Sequence, residues 1–222
     1  MTFKNAKRIQ TSILSGPEKA TLIWLANRTP LRFNSDHLTA LGLLAMLGVG
    51  LGYWLSASQP ALGLLLATAF LAVNWLGDSL DGTLARVRNK LRPRYGFYVD
   101  HVVDMLGAVF VLGGLALSGW MSTPVAATLL ILFFMLSINC YLATYTMGEF
   151  RLSFGPFSPT ELRILLAVGN GFLLWKPRAV VFGREMLLFD AGGIVAAVCM
   201  AVLLIASITR NTAQLYREEP IV

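Results

Sequence analysis

Six apolar runs, most of them about twenty residues long, leave this chain little choice of fold, since a run of that length is what a membrane-crossing helix needs. They cover residues 38–57, 61–77 and on into a polar stretch, 96–117, 124–147, 164–175 and 186–208. The fifth is too short to cross by itself and reaches the required length only by taking in Leu162 or the residues up to Phe182. Charged residues make up only 14% of the 222, against about a quarter in a soluble domain. The expected fold is therefore an all-α integral membrane protein, with six transmembrane helices and an N-terminal amphipathic interfacial helix. Residues 1–35 would form a cytoplasmic N-terminal segment carrying that helix, 36–208 the six-helix catalytic domain, and 209–222 a cytoplasmic tail.

The segment before the first run supports this layout. Residues 1–19 are polar and basic, so no cleavable signal peptide is apparent. In residues 18–27, Ala20, Ile23, Trp24 and Ala26 alternate with polar residues, as in a helix lying along lipid headgroups with Trp24 as anchor. An ordinary packed helix is the alternative. Pro30 breaks that helix, and Asn34, Ser35 and Asp36 are candidate N-caps for the next. Cys140 and Cys199 both lie in apolar runs, as small buried residues rather than a disulfide or metal site.

Of the eighteen Lys and Arg residues, fifteen fall on one side of the six runs and three, Lys176, Arg178 and Arg184, on the other. The positive-inside rule then places both termini in the cytoplasm. The expected location is a bacterial inner (cytoplasmic) membrane. A net charge of +6 suits attraction to anionic headgroups and gives no reason to invoke nucleic acid.

Residues 74–106 depart from the apolar pattern. Asp78, Asp81, Asp100 and Asp104, four of only twelve acidic residues, sit at the inner ends of two runs. On helices, Asp78 and Asp81 are i, i+3 and Asp100 and Asp104 are i, i+4, so each pair shares a face. The short basic turn at residues 87–94 lets the two faces meet. Four carboxylates in so small a volume repel one another, and hard cations such as Mg²⁺ or Mn²⁺ relieve that. Gly82 and Ala85 continue the first face with almost no side chain, so a bulky anionic ligand could approach the backbone there. Arg86 offers a fork suited to phosphate. These features suggest metal-assisted attack on a phosphate ester or anhydride. Arg88, Lys90, Arg92 and Arg94 read as topology and headgroup determinants, and His101 as a packing residue or a substrate contact.

Asp78-Ser79-Leu80-Asp81-Gly82-Thr83-Leu84-Ala85-Arg86, followed by Gly96-Phe97-Tyr98-Val99-Asp100-His101-Val102-Val103-Asp104, resembles the signature of the CDP-alcohol phosphotransferases, also called class I CDP-alcohol phosphatidyltransferases. All eight defining positions are filled, and the spacer at residues 87–95 is slightly longer than is usual in that family. The resemblance implies a phospholipid-synthesis enzyme of EC 2.7.8 type. It would transfer a substituted phosphate from a CDP-linked alcohol to an acceptor alcohol and release CMP. Two divalent metals, Mg²⁺ or Mn²⁺, would be held by Asp78, Asp81, Asp100 and Asp104, with Asp104 also the candidate general base. Gly82, Ala85 and Arg86 would line the CDP pocket. Asp36, in a Ser35–Thr39 segment similar to one the family places near the nucleotide, would join them unless it is a simple cap.

The expected partners are CDP-diacylglycerol as lipid donor and a polar alcohol as acceptor, with a CDP-headgroup donor and diacylglycerol acceptor as the alternative. Arg151, Thr160, Glu161 and Arg163 share the site's side of the membrane and are candidate acceptor contacts. The family is often dimeric, and Gly107, Gly113 and Gly114 permit close helix packing. A divalent-metal transporter is a rival reading, but it predicts acids strung along a path, whereas the opposite half is free of carboxylates until Glu185 and Asp190. A non-catalytic scaffold is another, and it would be expected to have lost a motif position.

Overall fold

The computed structural model describes residues 15–147 and 159–219, with side chains from Glu18 onward. Within them the chain forms α1 (Ser15–Arg28), α2 (Ser35–Ser56), α3 (Pro60–Val87), α4 (Pro93–Ser118), α5 (Thr123–Met147), α6 (Pro159–Trp175), β1 (Arg178–Val181), β2 (Arg184–Leu187) and α7 (Leu188–Glu218). Local chemistry sets the helix starts. Asn34 caps α2: its side chain accepts from the His37 N–H at 3.0 Å, and the His37 ring accepts from the Asn34 N–H at 3.2 Å. Pro60 and Pro93 open α3 and α4, where a missing N–H costs nothing. Gly119, at φ 77°, ends α4 in the left-handed conformation.

Five helices, α2, α3, α4, α5 and α7, are long and apolar enough to cross a membrane. The fifth apolar run becomes α6, which at 17 residues rises only about 25 Å. It gains length upstream, from Pro159, and not toward Phe182. Residues 178–187 are an antiparallel hairpin instead, pairing Arg178 with Leu187 and Val181 with Arg184. Phe182 and Gly183 turn it with φ of 50° and 76°, the positive pair that a tight hairpin turn needs. Met186, expected to open the last span, lies in β2, and α7 begins at Leu188.

The core forms where α2 packs between α3 and α4, around Val49, Tyr53, Leu64, Ala67, Leu71, Val111 and Leu115. Glycines set the spacing. A Cβ on Gly114 would lie 2.3 Å from the Gly50 carbonyl oxygen, and one on Gly77 2.7 Å from the Gly42 nitrogen. Two small residues of α4 serve packing within the chain, Gly107 against Met46 of α2 and Gly114 against Gly50, whereas Gly96 and Gly113 look into open space. Large apolar side chains such as Leu44, Leu65, Leu117, Ile131, Val195 and Ile205 remain on the outside, as expected of surfaces that meet lipid.

Gly114→Leu should cost more than the roughly 3 kcal/mol at the upper end of ordinary overpacking, because the obstacle is backbone. Gly113→Leu should cost little. Thermal unfolding of the two variants in detergent checks the contrast.

Two features secure the less apolar helices. In α6, buried Asn170 accepts from the Tyr53 hydroxyl at 3.0 Å and donates to Thr68 Oγ1 at 3.0 Å, tying this helix to α2 and α3. In a low-dielectric interior a satisfied network of this kind fixes a unique packing. α1 packs Leu22 and Ala26 against Leu38, Leu80 and Leu84, while Trp24 faces outward beneath the Arg28 guanidinium, 3.8 Å from its ring centroid.

Candidate active site

The four motif aspartates line a single cleft at the junction of α2, α3, α4 and α6. The helical spacings bring this about. Asn74, Asp78 and Asp81 descend one side of α3, and Asp100 and Asp104 lie about two and three turns into α4 after the loop that joins them. Exposure differs between the pairs. Asp81 is buried and Asp78 half-buried, whereas Asp100 and Asp104 are exposed. The Thr39 hydroxyl of α2 donates to Asp81 Oδ2 at 2.6 Å, and the Gly82 N–H donates to Asp81 Oδ1 at 2.5 Å. Thr39 reaches the site because the Gly42–Gly77 contact draws α2 close to α3 just beyond it.

Arg163 of α6 completes the wall. Its Nε donates to Asn74 Oδ1 at 2.7 Å, and its Nη2 donates to Asp78 Oδ2 at 2.5 Å. Thr160, one turn earlier, donates to Glu18 of α1 at 2.8 Å instead of entering the cleft. Arg151 lies outside the described residues.

The residues expected to hold a nucleotide sit beside this cleft and not in its lining. Arg86 folds back along α3, its Nε 3.0 Å from the Gly82 oxygen and an Nη 3.3 Å from Thr83 Oγ1. A Cβ on Gly82 would meet nothing nearer than that Arg86 nitrogen at 3.8 Å. Gly82, Ala85 and Arg86 thus form an open, small-residue flank next to Asp81. Asp36 is ion-paired with Arg92, which also lies over Tyr95, and neither lines the cleft. Arg88 donates to the carbonyls of Thr29 (2.7 Å), Pro30 (3.1 Å) and Phe33, clamping the α1–α2 turn onto the end of α3. Two of the loop cations read as headgroup determinants are therefore also internal clamps. His101 packs against Phe97 and, edge-on at 5.1 Å, against Tyr141 of α5.

The donor set fits a hard divalent cation. The cleft offers four carboxylates and one amide oxygen, with neither thiol nor imidazole among its lining residues. Among the described residues, no three His, Cys, Asp or Glu side chains converge into a finished metal cluster. Asp78 is turned to Arg163 and Asp81 to Thr39. The acids of the far side have other employment: Glu185 pairs with Arg178 at 3.8 Å, and Asp190 accepts from the Ser122 N–H at 2.7 Å. They mark no path of carboxylates across the membrane.

The sequence singles out the acids, but it marks Thr39 only as the end of the Ser35–Thr39 segment and Arg163 only by its side of the membrane, and it does not mark Glu18. The single acidic residue in an otherwise basic N-terminal segment was the one available signal for Glu18.

An archaetidylinositol phosphate synthase from Pyrococcus horikoshii is 32% identical over 118 residues, which are 53% of this chain and 55% of that protein. The chain thus matches about half the length of that curated relative. The family model for CDP-alcohol phosphatidyltransferase matches residues 36–205, from the first turn of α2 to the middle of α7, and takes in all four aspartates. The chain belongs to the CDP-alcohol phosphatidyltransferase family.

Proposed function

We propose that this protein transfers a phosphatidyl-type group from CDP-diacylglycerol to a small polar alcohol and releases CMP. The observation that carries the reading is the convergence of all four motif aspartates on one cleft at one end of the bundle. A reaction between a lipid and a water-soluble partner needs a site open to both phases, and helix ends at a membrane surface provide it. The asymmetry of the basic residues, fifteen to three, supports a cytoplasmic position. The relative named for synthesis of archaetidylinositol phosphate supports a lipid product.

In this reading Asp78, Asp81, Asp100 and Asp104 hold two divalent cations, which when bound supply positive charge to the diphosphate and to the departing CMP. Thr39 and the Gly82 N–H orient the Asp81 carboxylate, so that it is set before any ligand arrives. Gly82 and Ala85 let the diphosphate approach the α3 backbone, and Arg86 can swing from its own helix to a phosphate oxygen. Asp104, exposed at the cleft, takes the proton from the acceptor hydroxyl. That oxygen bonds to the phosphorus attached to diacylglycerol, the bond from this phosphorus to CMP breaks, and a phosphodiester results. Arg163 contributes a fixed positive charge at the cleft wall. Six spans, α6 being the shortest, would carry the chain across the membrane with both termini on the cytoplasmic side.

The test is CMP release from CDP-diacylglycerol in mixed micelles with a panel of acceptor alcohols. Release should require an acceptor together with Mg²⁺ or Mn²⁺, stop in chelator and return when the cation is restored. Release that persists in chelator would remove the metals from the mechanism. Release from CDP-linked headgroups with diacylglycerol, and none from CDP-diacylglycerol, would reverse donor and acceptor.

A further inference from the structure

One oxygen of Glu18 collects donors from two spans. Glu18 Oε1 accepts from the Trp75 indole N–H at 2.8 Å and from the Thr160 hydroxyl at 2.8 Å, with Ser79 Oγ at 3.5 Å. Trp75 and Ser79 are one turn apart on α3 and bracket Asp78, while Thr160 stands one turn before Arg163 on α6. The same two helices therefore meet twice, once through Glu18 and once through Arg163 on Asn74 and Asp78. Among the described residues, α6 packs chiefly against α3. Its next polar tie, Asn170, is about two turns further on.

We propose that Glu18 is a positioning residue. By holding Thr160 it seats Arg163 on Asp78, and the guanidinium so placed competes with the divalent cation for that carboxylate. The charges require the competition. An Asp78 oxygen that shares its charge with the Arg163 N–H offers less of it to a cation, and a guanidinium beside a bound cation repels it. Arg163 thereby keeps Asp78 from acting as an unpaired acid at the cleft wall and loosens the metal held there. The helix that lies before the first span thus reaches the cleft through two hydrogen-bonded contacts one turn of α6 apart. The inference rests on the reading of Asp78 as a metal ligand and extends it to residues outside the family's signature.

The test measures Mn²⁺ affinity of the purified full chain by electron paramagnetic resonance, with Mn²⁺ alone as probe. Glu18→Ala should tighten Mn²⁺ binding by about fivefold, the scale of freeing a partly exposed ion pair. Arg163→Met should tighten it equally, and the double variant should show no further gain. Glu18→Gln keeps the accepting oxygen and should behave as wild type, and Thr160→Val should follow Glu18→Ala. Simple damage to the fold would weaken Mn²⁺ binding, so the sign separates positioning from a merely structural role. Weakened or unchanged binding in Glu18→Ala, or gains that add to those of Arg163→Met, would overturn the proposal. Asp78→Asn is the control on the underlying reading: binding that survives it intact shows that Asp78 holds no metal and overturns both.

Discussion

Asp81→Asn is expected to fold and insert like the wild type yet lose about 10³ in CMP release, the upper scale for removing one preorganised electrostatic partner. The hydrogen bonds around Asp81 make this a clean test of charge. Its two oxygens accept from the Gly82 N–H and the Thr39 hydroxyl. Asparagine can keep its oxygen on Gly82 and turn its amide toward Thr39. The Thr39 hydroxyl can accept that amide proton while donating to the Ser35 carbonyl, 3.0 Å away. One amide N–H then has a partner and the other faces the cleft, so the cost to stability should stay within about 1 kcal/mol. What disappears is a negative charge at the most buried of the four acids, where its attraction for a cation is least screened. Mn²⁺ affinity, CDP-lipid affinity and thermal unfolding measured side by side decide the matter. Full turnover with the fold intact would remove Asp81 from the metal site, and lost turnover with a collapsed fold would make it a structural residue.

The parts of this site that could be read in advance are those written in helical arithmetic. Asp78 with Asp81 and Asp100 with Asp104 are spaced so that any helix places each pair on one face, and the short connection between them fixes which faces meet. Arg163 carries no such signal. It lies 85 residues from Asp78 and 89 from Asn74, and only the packing of α6 on α3 joins them. Glu18 is similarly remote from Thr160, 142 residues away. Arg88 and Arg92 illustrate another limit. A cation in a short cytoplasmic loop satisfies the topology rule whether it faces lipid or clamps a neighbouring turn, and the rule cannot tell these apart. The hairpin at residues 178–187 was hidden by ambiguity of period. Ala179, Val180, Val181 and Phe182 make a short apolar run that suits a helix extension as well as a strand. The helix ends because Pro177 follows Lys176, where a proline cannot continue the backbone ladder, and Phe182-Gly183 then supplies the turn.

Asp104→Asn should separate binding from chemistry. The residue sits in the cleft one turn beyond Asp100 and is exposed, so a substrate hydroxyl can reach it. Asparagine preserves its shape and one oxygen, and Asp78, Asp81 and Asp100 remain to hold a cation and the CDP-lipid. It cannot take a proton from the acceptor, so turnover should fall by about 10² or more. The His101 ring is held by the Phe97 carbonyl, 2.5 Å from Nδ1, and packs against Tyr141. Arg163 is a cation and has no site to accept a proton. Donor affinity measured beside CMP release should show Asp104→Asn binding CDP-diacylglycerol within a few-fold of wild type, whereas Asp81→Asn loses binding and turnover together. Should Asp104→Asn also lose the donor, its carboxylate is needed as a metal ligand before it is needed as a base. Near-normal turnover would take proton transfer away from Asp104 and leave it to water at the open mouth of the cleft.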